Sequence, residues 1–486
     1  MPVETILTAA SAEANMAELK AAYRPSEALV EAYRCLFCFD APCIMACPTG
    51  IDIPGFIRKI ANGNPVGAAR TILTANVLGA SCARVCPTEV LCEGACVLED
   101  RDEKPIEIGR LQRHATDYVS ERKIRVLEAP RTRNGKRVAV IGGGPAGLGC
   151  AAELAQLGYE VTIFEKQPHL GGLNTYGIAY YKMKPEVSLE EVELVRSLGV
   201  EMRCGMEVGR DIPAEGILRD FAAVFAGIGL GDAQRLRIPG EDLPEVVDAL
   251  AFIRDIHTRP LDRVPVGRRV AVIGCGNTAI DAVTQARRLG AERAVVIYRR
   301  GEEDMSAYAF EYELAKADGG HFHFHTLPVE VIATGGRVSG LRVVRTRPGA
   351  SGRLETIPGS EFVEPCDMVL KAVGQEKQIA LLRRLFPQIE LDERGAIRHD
   401  PVTGATSIAG VFTGGDCANG GREVVNAVGE GKKAARGIHA FLFGVQVPGT
   451  VQPSRLGAPG GASGSGFDRP IRVNELEDSP PDRARK

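Results

Sequence analysis

The sequence contains no tryptophan, and aromatic residues make up only 5% of its 486 positions. It also lacks an excess of either charge, because 59 basic residues stand against 62 acidic ones and leave a net charge of −3. A nucleic acid or a charged membrane surface is therefore not expected as the main partner. No apolar run is long enough to suggest a membrane-spanning helix.

The N-terminal segment lacks a basic region followed by a long apolar stretch, so we expect no signal peptide and a cytoplasmic location. Of the 13 cysteines in the chain, most lie between Cys35 and Cys96. Because the cytosol keeps thiols reduced, this density favours metal ligation over disulfides.

Beyond Arg137 the sequence alternates apolar strand, glycine turn and helix, which is the pattern of an α/β fold. "GKRVAVIGGGPAG" begins at Gly135, and the similar "GRRVAVIGCGNTA" begins at Gly267. This repetition predicts two nucleotide-binding domains of the same general type.

The first glycine motif contains Gly142, Gly144 and Gly147, with Pro145 and Ala146 between the last two. Its glycines permit a tight turn, close approach of a pyrophosphate and packing of helix on strand. The following strand ends in Glu165, an acid placed to accept hydrogen bonds from a ribose. The motif predicts a dinucleotide site rather than a glycine-rich turn without a ligand.

The second motif contains Gly274, Gly276 and Ala279, and Asn277 and Thr278 lie within it. Where an NAD site would place an acid, the next strand ends in Arg299 and Arg300. Paired guanidiniums suit a 2′-phosphate and favour NADPH over NADH. Glu302 and Glu303 follow at once, so a solvated strand end is the alternative.

A third pattern, "GVFTGGDCANGGREVV", has a strand that ends in Gly414, Gly415 and Asp416 and a long helix that begins near Arg422 and includes Val424 of the predicted cofactor-binding set. Such an acid can bind the ribityl or phosphate part of a flavin, and the helix N-terminus favours negative charge on the reduced ring. We therefore predict an FAD site that is split in the sequence and interrupted by the nicotinamide domain.

The cysteines form two groups with spacing C-x2-C-x4-C-x3-C-P and C-x3-C-P-x4-C-x3-C. Ferredoxin runs have three close cysteines and a fourth, followed by proline, that binds the other cluster. The pattern favours two interwoven [4Fe–4S] clusters over zinc, which usually uses two separated pairs. By simple counting, the eight ligands would be Cys35, Cys38, Cys43, Cys47, Cys82, Cys86, Cys92 and Cys96.

Together with "IEIGRLQRHATDY", these motifs resemble the electron-input part of dihydropyrimidine dehydrogenase, and most closely its separate bacterial diaphorase subunit. The wider family includes the small subunit of glutamate synthase. The resemblance implies FAD in the first nucleotide-binding domain and NAD(P)H in the second. It also implies one cluster on Cys35, Cys38, Cys43 and Cys96 and another on Cys47, Cys86, Cys92 and Gln112, the last in place of Cys82.

The predicted cofactor-binding set is completed by Gly172, Leu173 and Gly374. One departure from the family is Ala179, where relatives often have proline, in a segment expected near the flavin. Two other patterns are given ordinary structural interpretations. "HFHFH" at 321–325 is interpreted as a strand rather than a metal site, and the scattered Cys150, Cys204, Cys275, Cys366 and Cys417 as buried apolar residues.

These patterns predict an α/β protein with an N-terminal helical two-cluster domain and two Rossmann-like domains. The expected bounds are 1–126 for the helical domain, 127–265 and 375–446 for the split FAD domain, 266–374 for the NAD(P)H domain and 447–486 for a flexible tail.

The expected function is hydride transfer from NAD(P)H to FAD and then single-electron transfer through the clusters, with no catalytic acid or base. The resemblance implies a separate FMN and iron–sulfur subunit that reduces uracil or thymine. Two alternatives are the small subunit of glutamate synthase or of another multisubunit oxidoreductase, and a non-catalytic metal-binding scaffold.

Overall fold

The computed structural model describes residues 7–101, 103–349 and 353–445. The flexible tail that the sequence predicts, residues 447–486, lies outside the described residues. In chain order the helices are α1 (Ala9–Asn15), α2 (Pro25–Tyr33), α3 (Pro42–Ala46), α4 (Ile53–Ala61), α5 (Pro65–Ala75), α6 (Gly79–Val85), α7 (Ile108–Glu121), α8 (Pro145–Gln156), α9 (Leu173–Tyr176), α10 (Pro185–Ser197), α11 (Ala214–Asp220), α12 (Ala249–Thr258), α13 (Asn277–Arg288), α14 (Ala309–Ala317), α15 (Ile379–Leu385), α16 (Asp416–Asn419) and α17 (Val424–Phe443).

The strands are β1 (Arg137–Ile141), β2 (Glu160–Glu165), β3 (Glu201–Cys204), β4 (Ala223–Ala226), β5 (Val246–Asp248), β6 (Arg269–Ile273), β7 (Arg293–Ile297), β8 (Gly320–His323), β9 (Thr326–Thr334), β10 (Arg337–Pro348), β11 (Leu354–Thr356), β12 (Phe362–Glu364), β13 (Met368–Lys371) and β14 (Val411–Thr413).

Two parallel sheets form the nucleotide-binding part of the molecule. The first has the order β14-β4-β1-β2-β3 and the second β5-β13-β6-β7-β8. Because β14 follows the second sheet in the chain but pairs with β4, the first unit is interrupted as the sequence predicts. We call these the flavin unit and the nicotinamide unit.

A small antiparallel sheet of β9 to β12 packs on the nicotinamide unit. The expected domain bounds did not include this sheet as a separate feature. The four buried apolar residues that β9 and β10 contribute to the second unit's core are Val331, Val338, Leu341 and Val343.

The nicotinamide unit begins earlier than residue 266. β5 lies in register with β13, and Phe252 and Ile256 of α12 pack in the same core as Val270 and Val272. The strand β5 is only three residues long, so its short apolar pattern is not distinctive in the sequence.

The N-terminal helix also differs from expectation. Ala12 and Met16 are fully buried in the core of the nicotinamide unit rather than in the helical domain. Asn15 donates a hydrogen bond from Nδ2 to Arg288 O, which fixes α1 against α13. Residues 9–16 thus pack on a unit more than 200 residues away, a long-range contact that local sequence patterns do not encode.

Helices α2 to α7 form the helical domain. Its core is built around Phe56, Ile57, Ile72 and Leu111, which are fully buried. None of the helices formed by the described residues is long and apolar enough to cross a membrane.

Candidate cofactor and cluster sites

The turn after β1 has the geometry of a phosphate-binding loop. Gly142 has φ of 98°, and a Cβ there would lie 2.3 Å from Gly227 O. A Cβ at Gly147 would lie 2.0 Å from Gly142 O, so both positions require glycine. At Gly144 the nearest such contact is 3.9 Å away, which leaves its backbone open to a ligand. Pro145 and Ala146 begin α8 directly above this loop.

Glu165 lies at the end of β2 beside the glycine loop and is 7% exposed. Its two carboxylate oxygens accept hydrogen bonds from Gly143 N and Gln167 N, both at 2.8 Å. Each oxygen retains a second lone pair for a ribose hydroxyl. A small cavity beside Glu165 continues past Lys166 and Met206.

The Gly172 and Leu173 segment faces the same loop. Gly172 has φ of 56°, and a Cβ there would lie 2.9 Å from Gly144 Cα. Leu173 begins α9 and is 39% exposed, whereas the neighbouring Asn174 is buried. Asn174 Nδ2 donates hydrogen bonds to Ser81 Oγ and Ser188 Oγ at 2.8 and 3.0 Å, which anchors this segment to α6 and α10.

The packing of α17 on α8 places Gly415 and Asp416 next to the first glycine motif. A Cβ at Gly431 of α17 would lie 2.0 Å from Ala146 O, so α17 and α8 cross in close contact. This crossing places Gly415, with φ of 76°, beside Ala146. Burial raises the pKa of Asp416, and Arg422 N donates a hydrogen bond to its Oδ1. Val424 begins α17 just beyond.

The nicotinamide unit contains a cavity of about 760 Å³ at the carboxyl end of its strands. A Cβ at Gly274 would lie 2.2 Å from Ala372 O, so the turn after β6 also requires glycine. Ala279 is buried under the turn, and Asn277 Oδ1 accepts a hydrogen bond from Tyr308 N. The predicted residues that line the cavity are Gly274, Gly276, Thr278, Arg299 and Gly374.

Arg299 and Arg300 differ in their relation to this cavity. Arg299 lines it, whereas Arg300 does not, although both are exposed. Glu302 and Glu303 lie in a short 3-10 turn, Glu302–Asp304. Within the part of the chain that the structure describes, neither Arg299 nor Arg300 forms an ion pair with these or other acidic residues. The guanidinium of Arg299 is therefore available to an anionic group in the cavity.

The first thiol group surrounds a small, mainly apolar cavity in the helical domain. Its four cysteines are Cys35, Cys38, Cys43 and Cys96, the set that the resemblance implies for one cluster. Burial raises the pKa of the Cys35 thiol to about 11 and that of Cys43 well above its usual value. Four partly buried thiols around an apolar space fit the ligand set of an iron–sulfur cluster.

The second thiol group contains Cys47, Cys86 and Cys92, which interact electrostatically with one another. The Cys82 thiol hydrogen-bonds Cys86 and raises its pKa, so Cys82 adjoins this group as well. Within the described ranges, no three His, Cys, Asp or Glu side chains are placed to hold a single metal ion.

Gln112 lies on α7, which packs on α6, and its side chain is 6% exposed. Its Nε2 donates a hydrogen bond to Gly79 O at 2.7 Å. This bond orients the amide and leaves Oε1 as the atom that can bind a metal.

Several polar contacts around these sites leave no recognisable pattern in the sequence. Lys432 of α17 is buried, and its Nζ donates hydrogen bonds to Thr74 O and Ala75 O at 2.9 and 2.7 Å. Cys47 acts on it electrostatically, although burial lowers its pKa. Tyr308 OH donates a hydrogen bond to Glu423 Oε1 at 2.6 Å. These pairs join residues too far apart in sequence to be recognised without the fold.

The histidine and phenylalanine run at 321–325 and the five scattered cysteines have ordinary structural roles. His323 Nε2 lies 3.1 Å from Glu364 Oε2, and Phe322 packs against Tyr312 with ring centroids 4.7 Å apart. The β8 strand ends at His323, and His325, with φ of 50°, lies outside it, so the strand covers only part of the run 321–325. Cys150, Cys275, Cys366 and Cys417 are buried, but Cys204 is partly exposed at the edge strand β3, so its interpretation as buried was wrong.

Two family models match the chain, one over the helical part and one over the nucleotide-binding part. Residues 12–124 match the family described as "Dihydropyrimidine dehydrogenase domain II, 4Fe-4S cluster". Residues 136–431 match the pyridine nucleotide-disulphide oxidoreductase family. The solved structure of Mycobacterium tuberculosis FprA in complex with NADPH has 18% identity and a TM-score of 0.51 over 63% of this chain and 84% of that chain, which shows a shared fold.

Curated relatives match over most of the chain. The glutamate synthase [NADPH] small chain of Halomonas elongata is 38% identical, covering 88% of this chain and 93% of the relative. The NADP(+)-dependent formate dehydrogenase subunit beta of Moorella thermoacetica is 37% identical, covering 85% of this chain and 61% of the relative. The expected fold class is confirmed, as are FAD, a nicotinamide dinucleotide and [4Fe–4S] clusters as cofactors. The chain therefore belongs to the glutamate synthase small-subunit-like family of flavin and iron–sulfur oxidoreductases.

Proposed function

We propose that this protein is the NADPH-oxidising subunit of a larger enzyme and supplies electrons to a separate catalytic subunit. The contact between the second thiol group and the flavin unit carries this proposal. A Cβ at Gly429 of α17 would lie 2.8 Å from Pro48 O, so the residue after Cys47 contacts the helix that begins at Val424.

In this proposal the flavin unit holds FAD with its adenosine ribose at Glu165 and its pyrophosphate at Gly142, Gly144 and Gly147. Pro145, Ala146, Gly172, Leu173, Gly415, Asp416 and Val424 complete the site. When bound, the flavin exchanges a hydride with nicotinamide and the clusters carry single electrons. The protein itself binds, orients and shields these groups, and no side chain acts as a general acid or base.

The nicotinamide unit holds the dinucleotide at Gly274, Gly276, Asn277, Thr278, Ala279 and Gly374. Arg299 lines the cavity and would bind the 2′-phosphate through a charge-assisted hydrogen bond. Arg300 is adjacent and adds positive charge. The Halomonas relative is named for NADPH, which supports the same coenzyme here.

The ligand sets proposed for the two clusters follow the two thiol groups. Cys35, Cys38, Cys43 and Cys96 would hold one cluster. Cys47, Cys86 and Cys92 would hold the other, with Gln112 as the fourth ligand and Cys82 as the alternative.

We propose that the partner is a subunit with FMN and iron–sulfur clusters that reduces uracil or thymine. We also propose that the protein acts in the cytoplasm. Gln112 supports this branch, because the resemblance implies a glutamine as the fourth ligand there, and Gly79 O on α6 holds the Gln112 amide in place through its Nε2. Glutamate synthase is the second candidate, because relatives with that name cover almost the whole chain at 38% and 35% identity.

Reconstitution distinguishes the two partners. The holoprotein would be combined in parallel with a catalytic dihydropyrimidine-reducing subunit and with a glutamate synthase large chain. We expect NADPH-dependent reduction of uracil only in the first mixture. Formation of glutamate in the second mixture without uracil reduction in the first would replace the pyrimidine assignment with the glutamate synthase one.

A further inference from the structure

The cavity of the nicotinamide unit is not formed by that unit alone. Gly420, in the turn after α16, lines it together with Leu230, which follows β4. In the proposed function the nicotinamide ring must reach the flavin, so the ring lies where the cavity meets the flavin unit. We call this part of the cavity the ring end and define it by Leu230, Lys377 and Gly420.

The strand order places the two halves of the coenzyme. β7 and β13 lie on either side of β6, which precedes the second glycine motif. Arg299 follows β7, whereas Gly374 and Lys377 follow β13, and all three line the cavity. Neighbouring strands are about 4.8 Å apart, so the ends of β7 and β13 are about 10 Å apart. With the 2′-phosphate at Arg299, the nicotinamide half therefore extends over the β13 side, toward the ring end.

Among the residues that the structure describes, four cationic side chains line this cavity. Two of them are held in ion pairs, Arg235 with Asp242 at 2.6 Å and Lys371 with Glu241 at 3.1 Å. The other two, Arg299 and Lys377, form no ion pair with a described residue. Arg299 is assigned to the 2′-phosphate, which leaves Lys377 as an unpaired cation without a role.

The Lys377 ammonium lies at the boundary between the two units. A Cβ at Gly420 would lie 3.3 Å from Lys377 Nζ, so the ammonium lies against the flavin unit. It also acts electrostatically on Asp416, a residue of the proposed flavin site. Gln378 Nε2 donates a hydrogen bond to Ile228 O at 2.8 Å, which fixes the chain next to the lysine.

Asp248 is the acidic side chain among the described residues that line the cavity. Its Oδ1 accepts a hydrogen bond from Leu250 N at 2.6 Å, and its Oδ2 accepts one from Ala233 N at 3.2 Å. The carboxylate thus caps α12, whose N-terminus offsets its charge. Lys377 therefore remains the uncompensated charge at the ring end.

The charge of the nicotinamide ring changes during the reaction. The ring is neutral in NADPH and carries one positive charge in NADP+, because the departing hydride takes one proton and two electrons to the flavin. A nearby ammonium repels only the oxidised ring. We propose that Lys377 lowers the affinity of the site for NADP+ relative to NADPH and so favours release of the oxidised coenzyme. This inference rests on the proposed function and names the residue that sets the redox-state preference of the same site.

Binding of two ligands to the oxidised holoprotein tests this role by calorimetry. One is NADP+, and the other is 1,4,5,6-tetrahydro-NADP, which has the same phosphates but a neutral ring that donates no hydride. We expect Lys377→Met to tighten NADP+ binding about fivefold and to change binding of the tetrahydro ligand less than twofold. Lys377→Arg keeps the charge and should keep the original ratio. Lys316→Met, an exposed lysine on α14, is the control and should change neither affinity.

The outcomes separate this inference from the proposed function. Equal weakening of both ligands by Lys377→Met would show that the lysine binds a phosphate, and it would overturn the inference. An unchanged affinity for NADP+ would overturn it as well. Lys377→Gln is a second neutral variant and must show the same shift if the methionine variant loses its flavin. If the unchanged holoprotein fails to reduce ferricyanide with NADPH, the proposed function is wrong, and this inference with it.

Discussion

Lys182 of the flavin unit forms an ion pair with Asp281 of the nicotinamide unit, with 2.7 Å between Nζ and Oδ1. The same Nζ lies 2.6 Å from Glu311 Oε1, and all three side chains are largely buried. Tyr181 OH donates a further hydrogen bond to Asp281 Oδ1 at 3.0 Å. This segment, which includes Ala179, thus bonds directly to the other unit and fixes how the two pack.

Replacement of Lys182 by methionine should destabilise the protein. It leaves Asp281 and Glu311 buried without a counter-charge, which costs about 3 kcal/mol in the free energy of unfolding. Urea unfolding of the holoprotein measures the change. Lys316→Met is the control, because its exposed pair with Glu313 contributes less than about 0.5 kcal/mol. Equal losses for the two variants would show that the Lys182 pair adds no special stability.

Glu191 should make stability depend on pH. Burial raises its pKa to about 7, although Ala80 N, Ser81 N and Ser81 Oγ donate hydrogen bonds to it. Because the folded state binds this proton more tightly than the unfolded state, the contribution of Glu191 to stability falls as pH rises from about 4.5 to about 7.

Glu191→Gln should remove that component of the pH dependence, on the order of 3 kcal/mol across the interval. The difference between the urea midpoints of the variant and the unchanged protein would be followed from pH 5 to pH 8. Glu193→Gln, on the exposed side of the same helix, should show no such trend. A difference that does not vary with pH would contradict the assignment.

The local motifs could be predicted from sequence because each of their residues has a local steric role. Gly142 and Gly274 both lie in turns where a Cβ would strike the backbone, so both had to be glycine. The packing of α1 on the nicotinamide unit and the ion pair of Lys182 could not be predicted. Both depend on contacts between residues about 100 or more positions apart, for which a single sequence carries no local signal.

Arg299→Ala should weaken the use of NADPH. Loss of a charge-assisted hydrogen bond to the 2′-phosphate should raise the KM for NADPH about 20-fold and leave that for NADH unchanged. Steady-state reduction of ferricyanide with each coenzyme measures both values. Arg300→Ala is the matched variant and should change the KM less than about threefold, because Arg300 does not line the cavity. An equal loss with both coenzymes would exclude a role in 2′-phosphate recognition.

Gln112→Ala and Cys82→Ala separate the two possible fourth ligands. If Gln112 binds the second cluster, its removal should lower the iron content by about half, from about eight atoms to about four. Cys82→Ala should then retain the full content. Iron and labile sulfide would be measured after anaerobic purification, with Cys150→Ala as a control in the flavin unit. The reverse result, with iron lost only from the Cys82 variant, would assign the position to Cys82.

Cofactor analysis of the anaerobically purified protein tests most directly the claim that the chain transfers electrons from a flavin to two iron–sulfur clusters. We expect one FAD, about eight iron atoms and about eight labile sulfides per chain. Zinc without sulfide or flavin would contradict the claim and identify the helical domain as a structural metal-binding scaffold.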